Sequence, residues 1–220
     1  MSIKKQKGTI IMSIYGKYEV YLPKVMEMIV SDIEKFNNEY KLKYDENAYE
    51  HFIYRIKDES HMREKCESQG LPLTAESALD KIHDAIGLRI ICNFVNDIYD
   101  TVNYIKSLPH VTVAEEKDYI KNVKPNGYRS YHIILQLETP FEDVHGNTPG
   151  QYFVEIQLRT IAMDSWAALE HRVKYKKNLS EDNLSLITSE LKRVADELAA
   201  CDLSMQTIRN LIRSTNGGIL

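Results

Sequence analysis

The stretch Lys124-Pro125-Asn126-Gly127-Tyr128-Arg129-Ser130-Tyr131-His132 sets turn chemistry, positive charge, an aromatic face and a histidine side by side. Pro125 fixes φ, and Asn126-Gly127 tolerates φ > 0, so the chain turns sharply here. From Tyr131 to Glu138 the residues Tyr, Ile and Leu dominate, which reads as a strand. The whole is a loop feeding a strand. Lys124 and Arg129 are placed to meet an anion, and Tyr128 offers a flat face on which a base can stack. The plainer alternative is a hairpin with a solvated lysine and a packed tyrosine, because turns carry both often.

Outward from that strand the pattern continues in both directions. Residues 140–150 hold Pro, Asp, Gly and Asn and read as a loop, and Gln151 to Arg159 reads as a strand. Alternation puts Glu155, Gln157 and Arg159 on one face of it. Upstream, Val111 to Ile120 reads as a strand, and Asn96 or Asp97 starts a helix that ends before Pro109. Leu88 to Phe94 is continuously apolar, which suggests a central strand covered on both faces. Thr74 caps a helix to about Ala85 that stops near Gly87, and Asp58 or Ser60 caps another to Ser68. Tyr49 to Lys57 reads as a strand with Arg55 and Lys57 on one face.

Two long amphipathic helices flank this region. Tyr18, Tyr21, Leu22, Val25, Met26, Ile29, Ile33 and Phe36 form one stripe between Tyr15 and Tyr40, in which Pro23 either kinks the helix or starts it. A helix from Thr160 to about Lys177 carries Trp166, the only tryptophan. A last helix from Ser180 to about Arg213 carries Leu184, Ile187, Leu191, Val194, Leu198, Cys201 and Met205 close to a heptad. One stripe can cover a small sheet but not both, so subunit contacts are expected. The order of elements suggests an α+β fold, one mixed sheet with helices packed on it.

The chain has 220 residues, 43% hydrophobic and 27% charged, as in an ordinary globular protein with one sizeable core. Its formal net charge of −4 gives no global pull toward DNA or an anionic membrane. Met1 to Gly16 lacks the apolar core of a secretory signal, and no apolar run is long enough to span a membrane. Met1 to Ile11 is polar and expected to be loose, and the end after Gly217-Gly218 to be flexible. Three cysteines far apart fit neither a disulfide framework nor a zinc site, and a reducing cytoplasm is the simplest home.

The polar residues at the strand ends have a common chemistry. Asp84 and Glu155 are the best carboxylate pair to hold Mg²⁺, and Arg55, Lys57 and Lys65 make a polyphosphate clamp. Neither a P-loop nor a Gly-x-Gly-x-x-Gly fingerprint is present. His83-Asp84 is the pair that opens a metal phosphohydrolase site, but the other histidines form no ligand cluster in sequence.

Several ordered blocks carry a resemblance: Arg55-x-Lys57, Lys65, His83-Asp84-x-x-Gly87-x-Arg89, Lys117-Asp118-Tyr119-Ile120, Lys124-Pro-Asn-Gly-Tyr128-x-Ser130-x-His132 and Glu155-x-Gln157-x-Arg159-Thr160. Together they resemble the synthetase domain of the RelA/SpoT homologue family, and the small alarmone synthetases of the RelQ type most closely. The matched core runs from about Tyr49 to Tyr175, within a single synthetase domain over residues 1–220.

The resemblance implies a nucleotidyltransferase-like mixed sheet and transfer of the β,γ-pyrophosphate of ATP to the ribose 3′-OH of GDP or GTP, with GMP a further candidate acceptor. The products would be AMP and ppGpp or pppGpp. It implies Mg²⁺ dependence and a homotetramer built from terminal helices, with single-stranded RNA a possible second partner of Tyr128, Lys121, Lys124 and Arg129. Too few residues precede Tyr49 for the hydrolase domain of long family members, so synthesis without hydrolysis is expected. Carried over by residue, Arg55 and Arg89 sandwich adenine, and Lys57 and Lys65 meet the ATP phosphates. Asp84 is the Mg²⁺ ligand, and Glu155 is a second ligand or the proton acceptor. Tyr128 stacks on guanine, with Lys124, Asn126, His132 and Gln157 around the acceptor. The alternative is a catalytically weak sensor of guanine nucleotides, which ATP-dependent AMP release separates from a synthetase.

Overall fold

The computed structural model describes residues 13–174 and 181–216. The segment Met1–Ile11 expected to be loose, the end of the expected helix at Lys177 and the tail at Gly217-Gly218 lie outside the described residues. Among those described, five strands form one mixed sheet: β1 (Tyr49–Ile56), β2 (Ile86–Cys92), β3 (Val111–Asp118), β4 (Tyr131–Thr139) and β5 (Gly150–Thr160). Their order is β1-β2-β5-β4-β3, with β2 and β5 parallel and every other pair antiparallel. Five helices accompany them: α1 (Leu22–Tyr44), α2 (Glu59–Ser68), α3 (Val95–Ser107), α4 (Ile161–Lys174) and α5 (Glu181–Asn216). No helix among the described residues is long and apolar enough to cross a membrane.

One face of the sheet is the core. Ile86, Leu88, Ile90, Ile133, Leu135, Val154, Ile156 and Leu158 point into it and are buried, together with Leu22, Val25, Ile29 and Ile33 of α1 and Ile98, Val102 and Ile105 of α3. Each such side chain contributes about 1.5–3 kcal/mol by leaving water. The stripe expected in the first helix is therefore consumed within the chain. Pro23 settles at the first turn of α1, where its missing N–H costs nothing, so it starts the helix and does not kink it. The residues before it form a separate 3₁₀ turn, Gly16–Val20.

Three expectations are corrected. β5, not β2, is central; β2 leaves Gly87 and Arg89 on an open face, where only Ile91, near α4, is buried. The helix expected to run from Thr74 to Ala85 is one π-helical turn, Ser77–Lys81, which ends when Ile82 turns extended. Thr74 Oγ1 does accept the Ser77 N–H, as a cap should. Phe94, read as the end of a strand, caps α3, with Asp97 reaching back to its N–H at 3.1 Å.

Candidate active site

The open face of the sheet is written by its register. Arg55, Gly87, Glu155 and Ile134 lie in one row across β1, β2, β5 and β4, and Ile53, Arg89, Gln157, His132 and Lys117 lie in the next. Side chains in a row point the same way, so alternation gathers residues far apart in sequence onto one surface. Between β1 and β5 this surface is a cleft of about 160 Å³ lined by Ile53, Arg55, Gly87, Arg89, Glu155 and Gln157. A Cβ on Gly87 would meet no other atom, so its missing side chain leaves the cleft floor clear between Arg55 and Glu155.

Lys57, just past β1, and Lys65 of α2 both reach Oδ2 of Asp84 at 2.5 Å. Asp58 fixes the start of α2 by accepting the Ser60 N–H at 2.9 Å. Burial raises the Asp84 pKa, but the two ammonium groups outweigh it and hold the carboxyl below its usual range. Oδ1 of Asp84 is buried and has no partner among the described residues. One carboxylate oxygen is thus neutralised, and the other is buried without a partner, a ligand atom a cation could take. That donor set suits Mg²⁺, which takes one or two protein carboxylates and completes its shell with water and phosphate oxygens.

Toward β4 the surface becomes aromatic. Tyr128 is half-buried, with its ring centroid 6.1 Å from Tyr119, 5.9 Å from His132 and 6.3 Å from Trp166. Lys124 Nζ lies 4.4 Å from the Tyr119 ring and 5.1 Å from the Tyr128 ring. Asn126 holds the turn by accepting the Tyr128 N–H and donates to Glu170 of α4. Tyr128 Oη is 2.8 Å from Nε2 of His132. Burial, then Arg159, Lys124, Lys117 and Arg89, push the His132 pKa down to about 4, so the imidazole is neutral near pH 7. Its Nδ1 is 3.9 Å from Glu155, whose Oε1 accepts from Gln157 at 3.3 Å.

Of the residues chosen for the site from the sequence, Arg55, Arg89, Glu155 and Gln157 line the cleft, Lys57, Lys65 and Asp84 cluster where β1 ends and β2 begins, and Lys124, Asn126, Tyr128 and His132 form the aromatic side; four more join them. Arg159, almost fully buried, donates to Tyr128 Oη, Gln157 Oε1 and Asp164 Oδ1. Asp164 also lies 3.7 Å from Arg89, so it bridges the cleft and the aromatic loop. Tyr119 and Trp166 flank Tyr128. Alternation had placed Arg159 beside Glu155 and Gln157, a usable signal; Asp164 and Trp166, on a helix, gave none. One expectation fails. Arg129 is not free to meet a ligand's anion, because its guanidinium is tied to Gly127 O, Ala195 O and Asp196, which leaves Lys121 and Lys124 as the basic strip. His83 stacks on Phe153 with ring centroids 3.8 Å apart, and no group of three or more metal-ligating side chains is found among the described residues.

The family model described as "Region found in RelA / SpoT proteins" matches residues 54–180. The chain belongs to the RelA/SpoT family. It is 38% identical to the GTP pyrophosphokinase YwaC of Bacillus subtilis over 173 residues, covering 79% of this chain and 80% of that one. With the GTP pyrophosphokinase YjbM of the same organism it shares 32% over 174 residues, covering 79% and 78%. The crystal structure of small alarmone synthetase 2 from B. subtilis superposes with a TM-score of 0.70 at 32% identity, covering 87% of this chain and 95% of the other. Small alarmone synthetase 1 from B. subtilis bound to its product pppGpp gives 0.73 at 27% identity, covering 90% and 97%. Within the RelA/SpoT family the chain is therefore a small alarmone synthetase.

Proposed function

We propose that the chain transfers the β,γ-pyrophosphate of ATP to the ribose 3′-OH of GDP or GTP, and that GMP is a further acceptor. The observation that carries this reading is the division of one open surface into an arginine-lined cleft that holds Glu155 and an aromatic loop with a lysine. Relatives support it: small alarmone synthetase 1 from B. subtilis has been solved with AMPCPP and with pppGpp. In this reading Arg55 and Arg89 hold adenine across the cleft, and Lys57 and Lys65 exchange Asp84 for the ATP phosphates. Guanine stacks on Tyr128, while Lys124, Asn126, His132 and Gln157 surround the acceptor.

The 3′-oxygen bonds to the β-phosphorus, the bond from that phosphorus to the α,β-bridging oxygen breaks, and AMP leaves. Glu155 takes the hydroxyl proton, because an alcohol becomes a competent nucleophile only as a base within hydrogen-bond reach removes it. The remaining acceleration is positioning and charge neutralisation. Asp84 would hold Mg²⁺, with Glu155 the alternative second ligand, and the ion would supply Lewis-acid neutralisation of phosphate oxygens. A neutral His132 can accept or donate a hydrogen bond without adding charge beside Glu155. Assembly into a homotetramer belongs to the same reading and is supported by the apolar face that α5 leaves open, where Leu203 and Leu211 are 67% and 62% exposed. The Glu155→Gln protein should bind both nucleotides and lose AMP release by about a hundredfold or more. Unchanged turnover in that variant would remove Glu155 from the mechanism.

A further inference from the structure

We propose that the α5 segment Leu191 to Asp196 is the seat of the acceptor loop, and that Asp196 and Ala195 are positioning residues for Tyr128. The inference deepens the reading of Tyr128 as the guanine shelf and rests on it. Three separate contacts converge on that segment. Arg129 NH2 donates to Asp196 at 2.8 Å, and NH1 donates to the Ala195 carbonyl at 3.1 Å and to the Gly127 carbonyl at 3.2 Å. Gly127, at φ +91°, lies so near the helix that a Cβ on it would sit 2.6 Å from Ala195 Cβ and 3.1 Å from Lys192 Cα. Trp166, on the flank of Tyr128, donates its indole N–H to the Leu191 carbonyl at 2.8 Å.

The loop residues on both sides of Tyr128 are thus fastened to α5, as is its ring neighbour. Ala195 is buried and small, and Gly127 has no side chain, so the two backbones approach closely. Arg129 satisfies its donors on the helix and has little exposure left with which to meet a ligand, at 15% of its side chain. Asp196 also accepts from Lys192 at 2.9 Å, which holds its carboxylate in place. A shift of this segment moves the Gly127 and Arg129 ends of the loop together and tilts the ring between them. Arg55, Lys57, Lys65 and Asp84 have no contact with it in this network, and Arg89 meets it only through Asp164 and Arg159, so the effect falls first on the acceptor.

The test is a split of Michaelis constants in the full-length protein. Asp196→Ala should raise the KM for GDP or GTP roughly two- to fivefold, as the loss of one half-exposed charge-assisted hydrogen bond requires. The KM for ATP, kcat and the unfolding midpoint should stay as in the parent. Asp196→Glu, which keeps the charge, should restore most of the acceptor KM. Gly127→Ala should raise it about tenfold or more, through both the positive φ and the clash. Tyr128→Ala is the reference. If it raises the acceptor KM while Asp196→Ala and Gly127→Ala do not, the seat is refuted and the shelf stands. If Tyr128→Ala leaves the acceptor KM alone, the shelf itself is wrong and the seat falls with it. Equal losses in both KM values with a lowered midpoint would show a merely structural contact and overturn the proposal.

Discussion

Gly87 shows how much a single residue decides in this site. Its neighbours in the register are Arg55 and Glu155, and nothing fills the space its side chain would take. Gly87→Val should therefore fold normally, since valine suits a strand. It should raise the KM for ATP by roughly tenfold by occupying the cleft, and leave the acceptor KM unchanged in initial-rate measurements. Tyr128 gives the complementary case. Tyr128→Ala should raise the acceptor KM by about five- to a hundredfold, the range of one lost base-stacking platform. Tyr128→Phe keeps the ring but strands the partners of the hydroxyl, Arg159 and His132, and should fall between the two. In the sequence Gly87 looked like a helix stop, because glycine signals stops and clear floors alike. Arg129 looked like an anion ligand because its partners on α5 are 66 and 67 residues away and nothing local announces them.

At the scale of elements, the strands were legible and the seating of the last helix was not. Alternation over Tyr131–Thr139 and Gly150–Thr160 gives the buried and half-open faces directly. On α5 the apolar stripe chosen by heptad spacing is largely exposed, with Leu184 at 45% and Met205 at 51%. The residues of α5 buried most fully against the body are Ala195, Gln206 and Arg209. Polar contacts dock this helix. Arg209 spans both Asp97 oxygens at 2.6 and 2.8 Å, Tyr40 donates to the same carboxylate at 2.7 Å, and Thr160 donates to Asp202 at 2.6 Å. Hydrophobic periodicity cannot see such a surface. Arg209→Ala should cost about 3–5 kcal/mol in urea unfolding, because it leaves Asp97 buried and unpaired, whereas Asp97→Asn with Arg209→Met should cost less.

The loop before β5 has a similar polar centre in Asp143. Burial raises its pKa, but hydrogen bonds from Asn147, Gln151 and His145 outweigh this and lower it. A depressed carboxylate stabilises the fold above its unfolded pKa and ceases to do so as the pH falls through its folded one. Asp143→Asn should therefore lose stability near neutrality and show a flatter decline on acidification, as read from melting curves between pH 7 and the acid range.

The whole molecule is built on one sheet whose closed face makes the core and whose open face carries the chemistry. The fold class and the chemistry-bearing residues were legible because strand register turns sequence alternation into a surface. The depth of the polar links to α4 and α5 was not, since they depend on how helices dock. The exposed side of α5 should hold copies together. Leu203→Glu with Leu211→Glu should shift the sedimentation coefficient at micromolar concentration to that of a monomer, and a parent that already sediments as a monomer would exclude assembly through this face. The central claim is pyrophosphate transfer, and chromatography of the products tests it most directly. With ATP, Mg²⁺ and each of GMP, GDP and GTP, the account predicts one AMP for every new guanosine nucleotide, which carries two more phosphates than its acceptor. ADP in place of AMP, or no guanosine product with any acceptor despite bound nucleotide, would contradict it.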